Sequence, residues 1–300
     1  MTAQPRLPKT LVDFIRSALT TNALPGETEG FDREHHRDAA EFIASVAAVR
    51  PARTTAIKIE STGGEAGRRR MRLVAINEDM PFLVDSVAGA IASRDIPIHR
   101  LLHPIVKVTR DKQGRIEKVG EGAPESIIYI ELDRADARGR QDLLRQLKRV
   151  LSDVRSAVAD WRTMLAEMKS DADSLEGRDK ESAELLRFLA DNNFTLLGHA
   201  HVGTDGQLKD ALGILRNETA LWEQSAAEAA VNHLADENRT VLILKADRIS
   251  PVHRRVPLDV VMVRLADGTL SVHAGPWTSE ALRTSAQHIP VLCKRLAKLD

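Results

Sequence analysis

The chain has 300 residues, room for two domains of ordinary size, and its 43 basic and 43 acidic side chains give a formal net charge of zero and a pI near 7.2. That balance excludes a protein that coats nucleic acid, which needs a basic excess, and a 3% aromatic content leaves too few rings for stacking on single strands. No apolar run approaches the roughly 20 residues of a membrane span, Lys9, Asp13 and Arg16 interrupt any secretory apolar region, and the single cysteine, Cys293, excludes an internal disulfide framework, so a cytoplasmic protein with no membrane partner is expected.

Residues 1–50 read as a helical lead-in. Leu11, Phe14, Ile15 and Ala18 recur at helical spacing, as do Ala39, Phe42, Ile43, Val46 and Ala47, with a loop at 22–30 between them. The period then changes. Residues 55–60 alternate and 71–77 have the dense apolar character of a buried strand, joined through Gly63, Gly64 and Gly67 as a hairpin turn. Asn77 leads into Pro81, placed for the first turn of a helix whose apolar face is Phe82, Leu83, Val87, Ala90 and Ile91. Residues 96–109 are β-rich, 111–114 form a turn, and 126–132 form another strand. This order of strand, strand, helix, strand, strand and helix predicts an α+β fold.

The next helix carries Leu144, Leu147, Leu151, Val154, Val158, Trp161, Leu165 and Met168 in alternating steps of three and four. Such a seam packs either on its own sheet or against a second subunit. Residues 170–180, polar and containing Gly177, read as a linker before a helix at 185–190. In the second half, 194–202 and 208–215 flank Asp205 and Gly206 as a hairpin, and 220–234 is helical. Strands are expected at 241–244, 258–265 and 270–272, with closing helices at 278–286 and 291–299.

The chemistry-bearing residues form no expected catalytic site. Gly63-Gly64-x-x-Gly67 leads into a strand and not a helix, so it is a turn and not a dinucleotide cradle. His199 and His201 point to one face of a strand and, with His253 and His273, could surround a divalent ion. No spacing brings the last two near the first and no acidic ligand is evident, so these are read as surface or hydrogen-bonded histidines and no metal site is expected. Ser250, His253 and Asp259 supply a triad inventory without a triad geometry, and Cys293 has no base beside it.

The segment Asn77-Glu78-Asp79-Met80-Pro81-Phe82-Leu83-Val84-Asp85-Ser86 resembles the Asn-Asp-x-Pro-Phe-Leu-Val-Asp-Ser signature of the N-terminal region of the large bacterial NAD-specific glutamate dehydrogenases. Ile98-His99-Arg100-Leu101-Leu102-His103-Pro104 is similar to that family's strand ending in His-Pro, and residues 154–161 to its helix ending Val-x-Asp-Trp. Phe188-Leu189 with 194–198, Gly213-Ile214-Leu215-Arg216, Val252-His253-Arg254 with Asp259, and Thr278-Ser279-x-Ala281 with Ile289-Pro290-Val291-Leu292 follow in the same order. The resemblance spans about residues 10–300. Departures are Leu282 for the family's Tyr, Ala286 for its Pro, and Gly198-His199 for Gly-Tyr.

The resemblance implies an ACT-like domain at 51–169 ending in the long helix, a linker and helix at 170–189, and a PAS-like α+β domain at 190–300. It implies a non-catalytic regulatory and assembly region of an NAD-dependent glutamate dehydrogenase, with NAD bound by the full-length enzyme and no cofactor in this segment. The rival reading is a free-standing ACT/PAS-type small-molecule sensor. Homo-oligomer formation through the N-terminal modules is implied, as is an amino-acid effector at the turn formed by Asn77, Asp79, Pro81, Phe82, Asp85 and Ser86. There a helix N-terminus favours the effector's carboxylate, and Asn77 and Asp79 face its ammonium group. Phe82 stands where ligand-binding ACT modules carry glycine.

Overall fold

Two strands with nearly unbroken burial organise the first half of the chain: β2 (Arg70–Glu78) and β6 (Ala123–Asp133). Continuous burial means that both faces of a sheet are covered. The structure is a computed structural model and describes residues 9–21, 23, 26–63, 70–202, 207–217, 224–235 and 239–278. The expected glycine turn at 64–69, the Asp205–Gly206 turn, the closing helices beyond residue 278 and Cys293 lie outside the described residues.

The chain divides into two compact units, Met1–Leu151 and Ser152–Asp300. In the first, β1 (Ala56–Thr62), β2, β6, β4 (Ile105–Arg110) and β5 (Ile116–Val119) run in that spatial order, with β3 (Ile98–Leu102) also paired to β6, all antiparallel. The stretch expected as one β-rich segment at 96–109 is broken at His103-Pro104, because proline has no N–H for a ladder; the Pro104 carbonyl instead accepts from Ile127 N–H at 3.0 Å.

One face of this sheet packs on the lead-in helices α1 (Lys9–Thr21) and α2 (Arg33–Ala47). Leu11, Ile15, Leu19, Phe42 and Ile43 share a core with Val74, Ile76, Val106, Ile127 and Tyr129. The lead-in is therefore part of the first unit's core. Asp32 caps α2 by accepting from the N–H groups of Glu34 and His35, which satisfies two of the donors a helix start leaves open. Residues of opposite parity, Leu73, Ala75, Ile128 and Ile130, are wholly buried too. The helix α3 (Leu83–Ala92) buries Leu83, Val87, Ala90 and Ile91, and Arg94 just past its end donates to the Gln146 side chain.

The long helix α4 (Ala137–Leu175) runs across the division between the units. Its buried stripe is Leu143, Leu147, Val150, Leu151, Val154, Ala157, Met164, Met168, Ala172 and Leu175. Leu147, Leu151, Val154 and Met168 of the expected seam lie in this stripe, but Leu144, Val158 and Leu165 are only half-buried and Trp161, in the middle, is 45% exposed. At that turn the inward position belongs to Asp160, one residue earlier, and a helix turns about 100° per residue. Residues 170–175, read as the start of a linker, continue the helix because Ala172 and Leu175 extend its buried stripe beneath polar neighbours.

In the second unit, α5 (Lys180–Phe188) is capped by Asp179, whose carboxylate accepts from Ser182 N–H at 3.1 Å. The strands β7 (Gly198–Val202), β8 (Leu208–Gly213), β9 (Val241–Ile249), β10 (Pro257–Arg264) and β11 (Leu270–Gly275) form an antiparallel sheet in the order β8-β7-β11-β10-β9. The helix α6 (Gln224–Ala235) lies between β8 and β9 in the chain. Met164, Met168, Ala172 and Leu175 of α4 share a core with Leu185 and Leu186 of α5 and with Val261 and Val263 of β10.

Candidate functional site

The six residues assigned to an effector meet at the β2–α3 turn but differ in exposure. Asn77 is wholly buried, and its Oδ1 accepts from Thr55 Oγ1 at 2.5 Å. Asp79 is exposed and its N–H donates to Pro124 O at 3.1 Å. Pro81 and Asp85 are exposed, whereas Ser86 is buried with its N–H donating to Phe82 O at 3.1 Å.

Phe82 is half-buried in the left-handed region, at φ 71° and ψ −2°. It is thus the residue before the helix and not part of it, and Pro81 lies two residues before the first helical position and not in the first turn. A bulky side chain held in this conformation costs about 1–2 kcal/mol, and glycine would hold it without that cost. Beside the turn, His103 Nε2 lies 2.6 Å from Ser126 Oγ; burial lowers its pKa from the ordinary imidazole value, and the Asp79 charge opposes that fall.

A second grouping lies on the sheet of the second unit. The two-residue period turns His199 and His201 to the same face of β7, as expected, and the strand register sets His273 of β11 directly opposite His199. His199 is 1% exposed and His273 wholly buried. Their Nδ1 atoms are 3.4 Å apart, and His273 Nε2 lies 2.7 Å from Asp171 Oδ2. Burial first, then the neighbouring His273 and His201, push the His199 pKa down to about 3, so its ring is neutral at neutral pH. The ring planes of His199 and His201 are near perpendicular, with centroids 5.0 Å apart.

One ligand atom each from Glu167, His199 and His201 lie within 4.8 Å of one another, the one such grouping of three potential ligands among the described residues. Glu167 and Asp171 were not found from the sequence. The available signal is their i, i+4 spacing beside Met164, Met168 and Ala172, which places both carboxylates toward the buried stripe. His253 is outside this grouping. The triad inventory does not assemble either: Ser250 Oγ donates to Val252 O at 2.7 Å, and Asp259 pairs with Lys245 at 2.6 Å.

Residues 27–149 match the family described as glutamate dehydrogenase, ACT1 domain. The chain is also 25% identical over 258 residues to the NAD-specific glutamate dehydrogenase of Halomonas elongata, 29% over 260 residues to that of Pseudomonas aeruginosa, and 27% over 250 residues to that of Mycobacterium tuberculosis. Over these matches the chain is similar to an N-terminal region of the NAD-specific glutamate dehydrogenases. Each alignment takes in 75% of this chain, but only 15% or 16% of the relative's length. The ACT1 domain so matched contains α2, all six strands of the first sheet, the β2–α3 turn and the opening turns of α4.

Proposed function

We propose that this chain is a non-catalytic regulatory and assembly region of an NAD-dependent glutamate dehydrogenase, whose whole polypeptide oxidatively deaminates L-glutamate to 2-oxoglutarate and ammonium while NAD⁺ accepts the hydride. The ACT1 match over residues 27–149 carries this reading. The dinucleotide fingerprint missing from these 300 residues is assigned to the large part of the relatives that the chain does not match. Residues 190–300 serve as a PAS-like module in this proposal, a reading supported by their separate five-stranded antiparallel sheet. The modules assemble copies of the enzyme in the cytoplasm.

The pure chain is expected to form no NADH from glutamate and NAD⁺ above a heat-killed control. In source-cell extracts, an antibody against residues 137–175 should detect a polypeptide far larger than 33.1 kDa that co-elutes with glutamate dehydrogenase activity. A band at that mass, eluting apart from the activity, would reject the proposal in favour of a free-standing sensor.

The amino-acid effector of the same proposal sits at the β2–α3 turn, with its carboxylate at the start of α3 and its ammonium toward the exposed Asp79 and Asp85. Calorimetry with arginine, aspartate and glutamate should show one of them binding, and binding should weaken at least tenfold in Asp79→Ala or Asp85→Ala. Undiminished binding in both variants places the effector elsewhere, and no binding by any amino acid leaves the ACT1 domain a structural element.

A further inference from the structure

We propose that Glu167, His199 and His201 form a binding site for a divalent transition-metal ion of the zinc class, with His273 and Asp171 acting as the positioning relay behind His199. The site is assembled by periodicity. Alternation on β7 turns both histidines to the face of the sheet that packs on α4, and the i, i+4 spacing brings Glu167 and Asp171 from that helix.

Two imidazoles and one carboxylate are ligands that suit zinc and its first-row neighbours and leave at least one coordination position for water or a further ligand. Bonds of about 2.0–2.2 Å to a tetrahedral ion require ligand atoms roughly 3.4 Å apart. The three atoms now lie within 4.8 Å of one another. Glu167 and His201 are both only half-buried, and rotation of their side chains closes that gap.

The relay determines which nitrogen of His199 a metal would meet. When His273 Nε2 donates to the Asp171 carboxylate, 2.7 Å away, and its Nδ1 carries no proton, that Nδ1 is an acceptor. His199 Nδ1–H then points to it across 3.4 Å, which leaves the lone pair on His199 Nε2. That Nε2 is buried and has no hydrogen-bond partner among the described residues. A buried acceptor without a partner calls for an explanation, and coordination to a cation supplies one. Outer-shell acceptors for the second ring N–H fix tautomer and ring orientation at metal-bound histidines, and His273, backed by Asp171, stands in that position behind His199.

The test uses the tag-free 300-residue chain, stripped with EDTA, dialysed, and titrated with Zn²⁺ by calorimetry and with Co²⁺ by visible absorption. Folding of every variant is checked by circular dichroism. One ion per chain is expected, with a cobalt spectrum of nitrogen and oxygen ligation. Glu167→Gln and His201→Gln, at half-buried positions, should each weaken binding at least tenfold, whereas His253→Gln should not. Asp171→Asn should weaken binding 10–100-fold and alter the cobalt bands, because it releases the relay without removing a ligand. A folded wild-type chain that takes up neither ion stoichiometrically would overturn the proposal, as would equal affinity in wild type, Glu167→Gln and His201→Gln.

Discussion

Glu125→Ala is expected to destabilise the first unit by about 3–5 kcal/mol, the range for breaking a buried ion pair and leaving a charge unpaired. Glu125 is 3% exposed and holds two guanidinium groups. Arg50 Nη2 donates to its Oε1 at 2.6 Å, and Arg110 grips both oxygens, Nε to Oε1 at 2.6 Å and Nη2 to Oε2 at 2.8 Å. Arg50 is 4% exposed, so without Glu125 it cannot recover its hydration and keeps only the longer carboxylate contact, to Glu78 Oε1 at 3.4 Å. The same guanidiniums bind backbone: Arg110 Nη1 donates to Ala47 O and Gly114 O at 2.9 and 2.7 Å, and Arg50 Nη1 to Thr54 O at 3.0 Å. One carboxylate thus ties the end of α2, the loop before β1 and the β4–β5 turn to the central strand β6.

Acid should produce part of the same loss. Burial pushes the Glu125 pKa up, but the hydrogen bonds and charges of Arg110 and Arg50 outweigh it and hold the carboxyl below the ordinary glutamate value. A depressed folded-state pKa contributes stability that is present above the unfolded value, about 4.3, and lost as pH falls through the folded one. Urea unfolding followed by far-UV circular dichroism should therefore show a constant gap between wild type and Glu125→Ala from pH 6 to 8, narrowing below about pH 4. A gap under about 1 kcal/mol at pH 7 would mean that both arginines find water when Glu125 is gone.

Local pattern carried the first sheet, and long-range pairing escaped it. The dense apolar stretches of β2 and β6 were legible because a strand covered on both faces has no polar side to show. The short strand β5 was not, since Ile116–Val119 carries Glu117 and Lys118 between its two apolar residues and lies at the sheet edge. At the β2–α3 turn the helix was legible, but nothing in the sequence announces a phenylalanine at φ 71°, where glycine or asparagine is the usual occupant. On the second sheet, the shared face of His199 and His201 followed from alternation alone. His273 joins them through cross-strand register, which no local pattern specifies. Glu167 and Asp171 were hidden for a different reason. Charged residues beside an apolar helical stripe are normally solvated, and only the packed partner shows that they turn inward.

Gly213→Ala should cost the second unit about 4 kcal/mol or more, because it violates both backbone geometry and core packing, two of the few mechanisms that reach that size. Gly213 has φ +61°, and a Cβ there would stand 2.0 Å from Leu197 O and 3.1 Å from Met164 Sδ. The Leu197 carbonyl cannot retreat cheaply, because it accepts from Ile214 N–H at 2.9 Å while Leu197 N–H donates to Ala274 O at 3.0 Å. Gly213 N–H in turn donates to Asp160 Oδ2 at 2.8 Å, and Arg216 forks onto the same carboxylate through Nε and Nη2, each at 2.6 Å. Two segments that stand apart in the chain, Asp160-Trp161 and Gly213-Ile214-Leu215-Arg216, are thus one structural joint. Asp160→Ala tests the joint without the overlap. The Arg216 side chain is 48% exposed and regains water, so the loss should be smaller, about 1–3 kcal/mol, and confined to the orphaned Gly213 N–H and the missing fork. Urea unfolding monitored through tryptophan fluorescence, all three tryptophans lying in the second unit, should rank Gly213→Ala well below Asp160→Ala in stability. The reverse order would mean that the Leu197–Gly213 approach relaxes freely and that the carboxylate alone holds the joint.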